Sequence, residues 1–439
     1  MSGSTITLSY SESAPHASGE VADLLVLLLE CDRPLAGSAC HRLSATDEIV
    51  IGRGSLRQSE RSGARLQLRV PDGHMSTVHA AIRRYGQAHI ISDEGSKNGL
   101  LINGRRVERQ LLRDRDIIEC GHTFFRYLMA QPVAAGAPLD VDVDGAALAA
   151  AADGLATFHE PLAAQVRALP DVARAGLSIL LVGASGTGKE LVARAAHALS
   201  ERRGPFVEVR CGSLPENPTE TDLFGAAGRV AAAGGTLFLD EIGDLPPRAQ
   251  PALLSILDGA PLSVVASTHR DLGAPARQEP FRVDLLARLS GFTLRLPSLR
   301  ERLEDFGLLT AALLARHGTP DTTLSCEALR MLLSYDWPLG VRELEHCLRA
   351  ALAVSASSRI DVAELPRSIR QATAVEPAAP LRPQRSLTLE QLSRRQELCA
   401  LLSQHRRNIS AVARELGKDR VQIRRWIRQL DISLEEIAS

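Results

Sequence analysis

The stretch Ile179-Leu180-Leu181-Val182-Gly183-Ala184-Ser185-Gly186-Thr187-Gly188-Lys189-Glu190 decides how the middle of this 439-residue chain is read. The apolar run Ile179 to Val182 predicts a buried parallel strand, and Glu190 to Leu199 predicts a helix. Between them stands G-x-x-x-x-G-K. The glycines let the backbone curl so that successive N–H groups point inward. The positive end of the following helix aims at the same point, and Lys189 adds a mobile cation. These parts suit the phosphates of a nucleoside triphosphate. Gly183, Ser185, Gly186, Thr187, Gly188, Lys189 and Glu190 are therefore expected to bind ATP. Position 190 is Glu, where the generic loop has a Ser or Thr hydroxyl for Mg²⁺.

A second apolar run, Gly235-Thr236-Leu237-Phe238-Leu239-Asp240-Glu241, reads as a strand ending in two acids, the usual partner of such a loop. Asp240 is expected to hold Mg²⁺ through water, and Glu241 to polarise an attacking water.

The length predicts two to four domains. Apolar content of 45% and charged content of 23% describe a globular protein, and a net charge of −1 leaves any basic patch to be local. Cysteines 31, 40, 120, 211, 326, 347 and 399 form no C-x-x-C pair, so reduced, mostly buried thiols are expected rather than a disulfide frame or a zinc site. Met1 to Glu20 is polar and Ser-rich, and Leu24–Leu29 is too short to cross a bilayer. A cytoplasmic protein without membrane contact is expected.

Between residues 24 and 130, short strand-like pieces alternate with turns such as Pro71-Asp72-Gly73, Lys97-Asn98-Gly99 and Asn103-Gly104, predicting a β-sandwich. Leu56–Gly63 reads as an irregular, charge-rich loop. The ordered set Gly52-Arg53, Ser76-Thr77-Val78-His79, Gly95-Ser96-Lys97-Asn98-Gly99 and Asn103-Gly104 resembles the forkhead-associated domain, a phosphothreonine reader. A phosphate with nearly two charges and three acceptor oxygens suits a guanidinium and a hydroxyl. The resemblance implies Arg53 and Ser76 on the phosphate, Asn98 on the peptide backbone and His79 as a brace. Residues 131–152, rich in Ala, Gly and Asp, read as a linker.

The elements G-A-S-G-T-G-K-E, Asp222-Leu223-Phe224-Gly225, GGTLFLDEIGDLP, Phe281 to Leu289, LRLPSLRER and WPLGVREL resemble the AAA+ domain of bacterial sigma-54-dependent activators. The resemblance implies an α/β subdomain over 153–300 and a helical lid over 301–370. It also implies a homo-oligomeric ring in which Arg282 and Arg288 reach a neighbour's γ-phosphate as arginine fingers, with Thr268 and Arg342 as sensors. A cation of that kind stabilises charge that grows in the transition state. It accounts for Glu190 as well.

This chain departs from the family in places. Where the family carries a G-A-F-T-G-A loop that touches sigma-54, Gly225 to Ala233 reads GAAGRVAAA, and Leu257 to Leu262 is short where a second surface loop is usual. Arg210 and His269 stand where two asparagines are usual. A bulky cation at 210 is expected to pair with Glu241 and slow hydrolysis.

Residues 371–387 read as a Pro-rich linker, and 388–439 as three helices: Thr388 to about Gln404, Ile409 to Leu416, and a third N-capped by Asp419 and running to Leu430. Ile409, Val412, Leu416, Ile423 and Ile427 are expected inward, with Trp426 in the core. Lys418, Arg420, Gln422, Arg424 and Arg425 are expected on double-stranded DNA. The tail resembles the Fis-like helix-turn-helix domain of the same activators. Two functions stay open. In one, an ATPase remodels RNA polymerase holoenzyme under a phosphothreonine signal. In the other, a DNA-binding protein or scaffold uses ATP only to control assembly and does not contact sigma-54. The fold class is multidomain: all-β sandwich, α/β AAA+ domain with helical lid, and all-α helix-turn-helix.

Overall fold

The structure, a computed structural model, describes residues 20–144, 155–224, 234–258, 263–272, 281–355, 357–374, 389–405, 407–430 and 432. The N-terminal part is a sandwich of two sheets. A seven-stranded sheet runs in the order Asp140–Asp144, Gly37–Arg42, Glu20–Glu30, Thr123–Val133, Ile117–Cys120, Leu100–Ile102, Arg105–Val107. It faces a six-stranded sheet in the order Arg109–Leu111, Ala88–Asp93, Ala80–Tyr85, Glu48–Arg53, Arg65–Val70, Gln58–Ser62. Leu25, Leu27, Phe125 and Tyr127 from the first meet Ile49, Ile51, Leu66, Leu68, Ile82 and Ile91 from the second.

Two sequence expectations change here. Gln58–Ser62, expected in an irregular loop, is an edge strand paired antiparallel with Arg65–Val70. Its side chains are mostly exposed, so no apolar alternation marks it. The sandwich also runs past residue 130. Thr123–Val133 is one long strand, and Asp140–Asp144, expected in a linker, pairs with Gly37–Arg42. The alternation Asp140-Val141-Asp142-Val143-Asp144 is a period-two signal whose carboxylates meet cations: Asp140 accepts from Arg61 at 2.9 Å, and Asp142 from Arg57 at 3.0 Å.

The central domain is a five-stranded, all-parallel sheet, ordered Phe206–Arg210, Thr236–Asp240, Ser263–Thr268, Ile179–Val182, Phe292–Arg295. Both faces are buried, as parallel sheets require. Leu162, Leu169, Val192 and Ala196 from the helices Glu160–Arg174 and Lys189–Leu199 cover one face. Leu253, Leu257, Leu285 and Leu289 cover the other. The lid follows, with helices Phe306–His317, Cys326–Ser334, Gly340–Val354 and Arg367–Ala374.

The lid packs on the outer face of the seven-stranded sheet. Leu24, Val26, Leu28, Phe124 and Leu128 form one cluster with Leu299, Leu303, Phe306, Leu314 and Trp337. Helices Leu389–Gln404, Ile409–Glu415 and Arg420–Gln429 make a separate small core of Leu398, Leu402, Val412, Ile423 and Ile427. Six cysteines are free and buried, and Cys399 is free and half-buried. No helix among the described residues is long and apolar enough to cross a membrane.

Candidate functional site

The strand Ile179–Val182 delivers the phosphate loop at its carboxyl end, and Gly188, at φ 101°, turns the chain into the helix Lys189–Leu199. Among the described residues no protein acceptor takes the backbone N–H of Ala184, Ser185, Gly186, Thr187 or Gly188. Five successive donors without a partner on a glycine-rich loop are what a chain of phosphates satisfies. Lys189 Nζ, 7% exposed by residue, donates to Gly183 O at 2.9 Å and Ala184 O at 3.2 Å, and lies 3.0 Å from Glu241 Oε1. Glu190 is exposed and pairs with Arg194 one turn on.

Asp240 ends the strand Thr236–Asp240, one strand removed from Ile179–Val182 across Ser263–Thr268, and accepts from Ser267 Oγ at 2.7 Å, which itself takes the Glu241 N–H at 3.0 Å. Glu241 has φ 51°, an uncommon left-handed conformation for a non-glycine residue. Its second oxygen is 2.7 Å from His269 Nδ1 and 3.1 Å from the His269 N–H. Burial works to raise this carboxyl, but the bonds from His269 and Lys189 outweigh it and hold the group below its ordinary range. The expected pairing with Arg210 does not form: Arg210 is exposed, and among the described residues Glu241 is held by Lys189 and His269. The cause is register, since Arg210 pairs along the sheet with Asp240, whereas His269 follows the strand on the other side.

Thr268 is fully buried, and its carbonyl accepts from Gly183 N at 3.1 Å, joining it to the start of the phosphate loop. Arg282 is the exposed N-cap of the helix Val283–Leu289 and pairs with Asp284. Arg288 is exposed and reaches Ser178 Oγ at 3.4 Å, at the end of the strand remote from its own phosphate loop. Both guanidiniums therefore stand at the surface.

The lid touches the loop directly. Val341 N donates to Gly186 O at 2.9 Å, and Arg342 Nη1 reaches Ser185 Oγ at 3.4 Å. A Cβ at Gly186, whose φ is 77°, would fall 1.9 Å from Leu339 O, so only glycine fits beneath the lid. Arg302, 7% exposed, donates to Thr187 O at 2.9 Å. Nothing local in the run Leu299-Arg300-Glu301-Arg302 marks Arg302 for this role, because the contact joins residues 115 apart.

The lid carries the sandwich as well. Glu304, two residues after Arg302, meets Arg126 at 3.1 Å with both side chains about 5% exposed, and His159 Nδ1 at 2.8 Å. Burial alone would raise the Glu304 carboxyl, but His159 and Arg126 hold it low. Arg330 Nε donates to Glu119 at 2.9 Å, and Leu324 N to Cys31 O at 2.8 Å. Asp305, fully buried, accepts from Thr157 Oγ1 at 2.6 Å and Phe158 N at 2.7 Å.

On the sandwich, Arg53 ends its strand exposed, and its N–H donates to Ser76 O at 2.9 Å. Gly52 is obligatory, since a Cβ would lie 2.0 Å from Thr77 O. His79 is fully buried; Nδ1 accepts from Ser76 N at 3.1 Å and Nε2 donates to Gly99 O at 3.1 Å, so one ring ties two loops together. Ser76 Oγ accepts from Lys97 N at 3.0 Å, and Asn98 Nδ2 donates to His74 O at 2.7 Å. Arg53, Ser76 and Asn98 are thus brought to one set of loops. In the next loop Arg57 donates to Glu30 at 3.1 Å, one residue before Cys31 and its bond to the lid.

In the tail, Asn408 and Asp419 cap the last two helices through their side chains. Lys418, Arg420, Gln422, Arg424, Arg425 and Arg428 are all exposed. Trp426 is half-buried against the core, with the Arg394 guanidinium 5.1 Å from its ring centre.

Comparison with known proteins finds three family matches. Residues 49–121 match the FHA domain, 155–295 the sigma-54 interaction domain and 300–381 the AAA+ ATPase lid domain. The chain carries these three domains in that order. The Nif-specific regulatory protein of Azotobacter vinelandii is 37% identical over 298 residues, which is 61% of this chain and 56% of that one. The alginate biosynthesis transcriptional regulatory protein AlgB of Pseudomonas aeruginosa is 36% identical over 298 residues, 61% of this chain and 65% of its own. The chain thus spans about half to two thirds of the length of these relatives. Among solved structures, NtrX from Brucella abortus in complex with ATP is similar at 26% identity and a TM-score of 0.43, covering 63% of this chain and 69% of that one.

Proposed function

We propose that this chain is a transcriptional regulator of the sigma-54 activator type, in which a phosphothreonine reader acts through the lid on an ATP-binding AAA+ domain. The C-terminal helix-turn-helix binds double-stranded DNA, and the AAA+ domains assemble as a homo-oligomeric ring. RNA polymerase holoenzyme is the partner. The observation that carries this reading is the physical line from the peptide loops to the phosphate loop. Arg57 holds Glu30, Cys31 and the sheet face bind the lid, and the lid's Arg302 holds Thr187.

In this reading the free amides of 184–188 and Lys189 would grip the β- and γ-phosphates, and Asp240 would hold Mg²⁺. The ion would offset charge on the phosphate oxygens. Phosphate draws Lys189 away from Glu241, leaving that carboxylate to orient water. Arg282 and Arg288, both exposed, and Arg288 at the end of the strand remote from its own loop, serve a neighbour's site. Thr268 and Arg342 report on the phosphate from the sheet and the lid. On the sandwich, Arg53 and Ser76 hold a phosphothreonine and Asn98 the peptide backbone.

The sigma-54 interaction match over 155–295 supports remodelling rather than the assembly-only alternative. The segment that replaces the G-A-F-T-G-A loop lies within 225–233, outside the described residues. Steady-state ATP turnover of the whole chain, beside Lys189→Ala and Arg282→Ala, tests the proposal. Turnover lost in both variants is expected. Tight ATP binding without turnover in the parent would move the reading to assembly alone, and no heat from ATP with Mg²⁺ would overturn it.

A further inference from the structure

We propose that Asp32, His74 and His122 form a binding site for one divalent transition-metal ion of the zinc class. The three residues come from three separate turns of the sandwich, and their ligand atoms all lie within 4.8 Å of one another. The imidazoles of His74 and His122 stack with centres 3.6 Å apart, and His122 Nδ1 is 3.1 Å from both Asp32 oxygens. Tetrahedral zinc with nitrogen and oxygen ligands near 2 Å needs donors about 3.3 Å apart and each imidazole lone pair in its ring plane, so one of the two nearly parallel rings must turn out of the stack about its Cβ–Cγ bond to close the set. Two imidazoles and one carboxylate suit zinc, nickel or copper, whereas calcium and magnesium require an oxygen cage. Water supplies the remaining position on this exposed face.

The backbones beneath these side chains are fixed. His74 N donates to Asp72 Oδ1 at 2.8 Å, and His122 N to Asp72 Oδ2 at 2.7 Å, so one carboxylate, 4% exposed, holds both histidines. Thr123 Oγ1 donates to the same oxygen at 2.9 Å. Gly121, at φ 64°, brings the turn so close that a Cβ would lie 2.9 Å from Met75 N and 2.8 Å from Asp72 Oδ2. The third ligand is set by its neighbour: Cys31 N donates to His122 O at 2.9 Å, which places Asp32 beside the ring. An ion pair between His122 and Asp32 requires none of this convergence from His74. With the three backbones fixed in this way, binding an ion has only the side-chain rotations left to order.

The consequence rests on the phosphothreonine reading. His74 O is the acceptor for Asn98 Nδ2, so an ion on His74 steadies the side chain proposed to read the peptide backbone.

Titration of metal-stripped, full-length protein with zinc chloride is expected to show one saturable event per chain. His74→Ala and His122→Ala should each weaken it about tenfold or more, with Asp32→Asn weaker in effect. Cobalt in place of zinc should give visible bands without the near-ultraviolet charge-transfer band that thiolate ligation adds. Thermal melting checks that each variant folds, and His122→Gln replaces any that does not. Absence of the event, an unchanged event in the double histidine variant, or a thiolate band would overturn the site. Zinc should also raise affinity for a phosphothreonine peptide several-fold in the parent and not in His122→Ala. Zinc uptake without that gain would overturn the link to peptide binding while the site itself stood.

Discussion

Gly307 is where the lid helix Phe306–His317 lies against the sandwich, and Gly307→Ala puts the coupling between the two to a direct test. A Cβ there would fall 1.6 Å from Leu28 O and 2.3 Å from Ser38 Oγ. Non-bonded heavy atoms rest at about 3.5 Å, so helix and sheet must separate by roughly 2 Å. Leu28 O cannot step aside, because it lies on a central strand and accepts from Ser38 Oγ at 2.9 Å. A gap of even ~1 Å forfeits up to about half the dispersion well along the shared cluster of Leu24, Val26, Leu28, Leu303 and Phe306. Overpacking of this kind costs about 1–3 kcal/mol. Intrinsic propensity pulls the other way by less than the roughly 1 kcal/mol that Ala gains over Gly in a helix interior, because Gly307 is the second residue of its helix. A net loss of stability is therefore attributable to the contact and not to the helix itself. Urea unfolding of the whole chain should show that loss, with faster amide exchange in 20–30 and 306–317. A phosphothreonine peptide should no longer alter ATP affinity. A variant as stable as the parent, with unchanged exchange, would refute the argument that the lid and the sandwich are one packed unit.

Asp305, buried beside Arg302, is pushed up to about 6 by burial against the opposing pull of Arg302 and Thr157. Its contribution to stability is fully present below the unfolded value of 3.8 and lost as pH rises through about 6. The loss is on the order of 2–3 kcal/mol, so Asp305→Asn should flatten that limb of a stability–pH curve, and parallel curves would count against it. His269→Asn removes the imidazole that holds Glu241; turnover should rise several-fold with little change in KM, and a fall would show that His269 positions the carboxylate productively. Glu304→Ala strands Arg126 without its partner in a dry contact, which is expected to cost about 3–5 kcal/mol in chemical unfolding; a change below about 1 kcal/mol would show the pair to be hydrated. Arg424→Ala should weaken DNA binding by about 1–3 kcal/mol if it reads a base, or lower the salt slope by about one unit if it holds a phosphate, and no effect would remove it from the interface.

Local chemistry was legible in the residue order. The phosphate loop, the Asp240-Glu241 strand end and the capped helices of the tail announce themselves within a few residues, because each is built from neighbours in the chain. His79 as a brace was legible through its motif, and the fully buried ring with its two bonds fits that reading. The edge strand Gln58–Ser62 escaped because main-chain pairing, not an apolar stripe, holds it. Asp140–Asp144 escaped because its alternation is of Asp and Val, and the cations that settle the carboxylates, Arg57 and Arg61, lie about eighty residues away. Arg210 was expected on Glu241, but strand register sent it to Asp240's side and gave the carboxylate to His269.

By itself the sequence determined that Leu24-Leu25-Val26-Leu27-Leu28-Leu29 is a strand with no polar face, and that glycines and a lysine make a phosphate loop. An unbroken apolar run must be covered on both sides, but nothing in it names the cover. The tertiary structure decided that Leu25 and Leu27 turn to the sandwich core while Leu24, Val26 and Leu28 turn to the nucleotide lid. That choice depends on shape, on a helix bearing glycine where it meets the strand and on a buried Arg126–Glu304 pair beside it, and contacts between residues 178 or more positions apart have no pattern in a one-dimensional string.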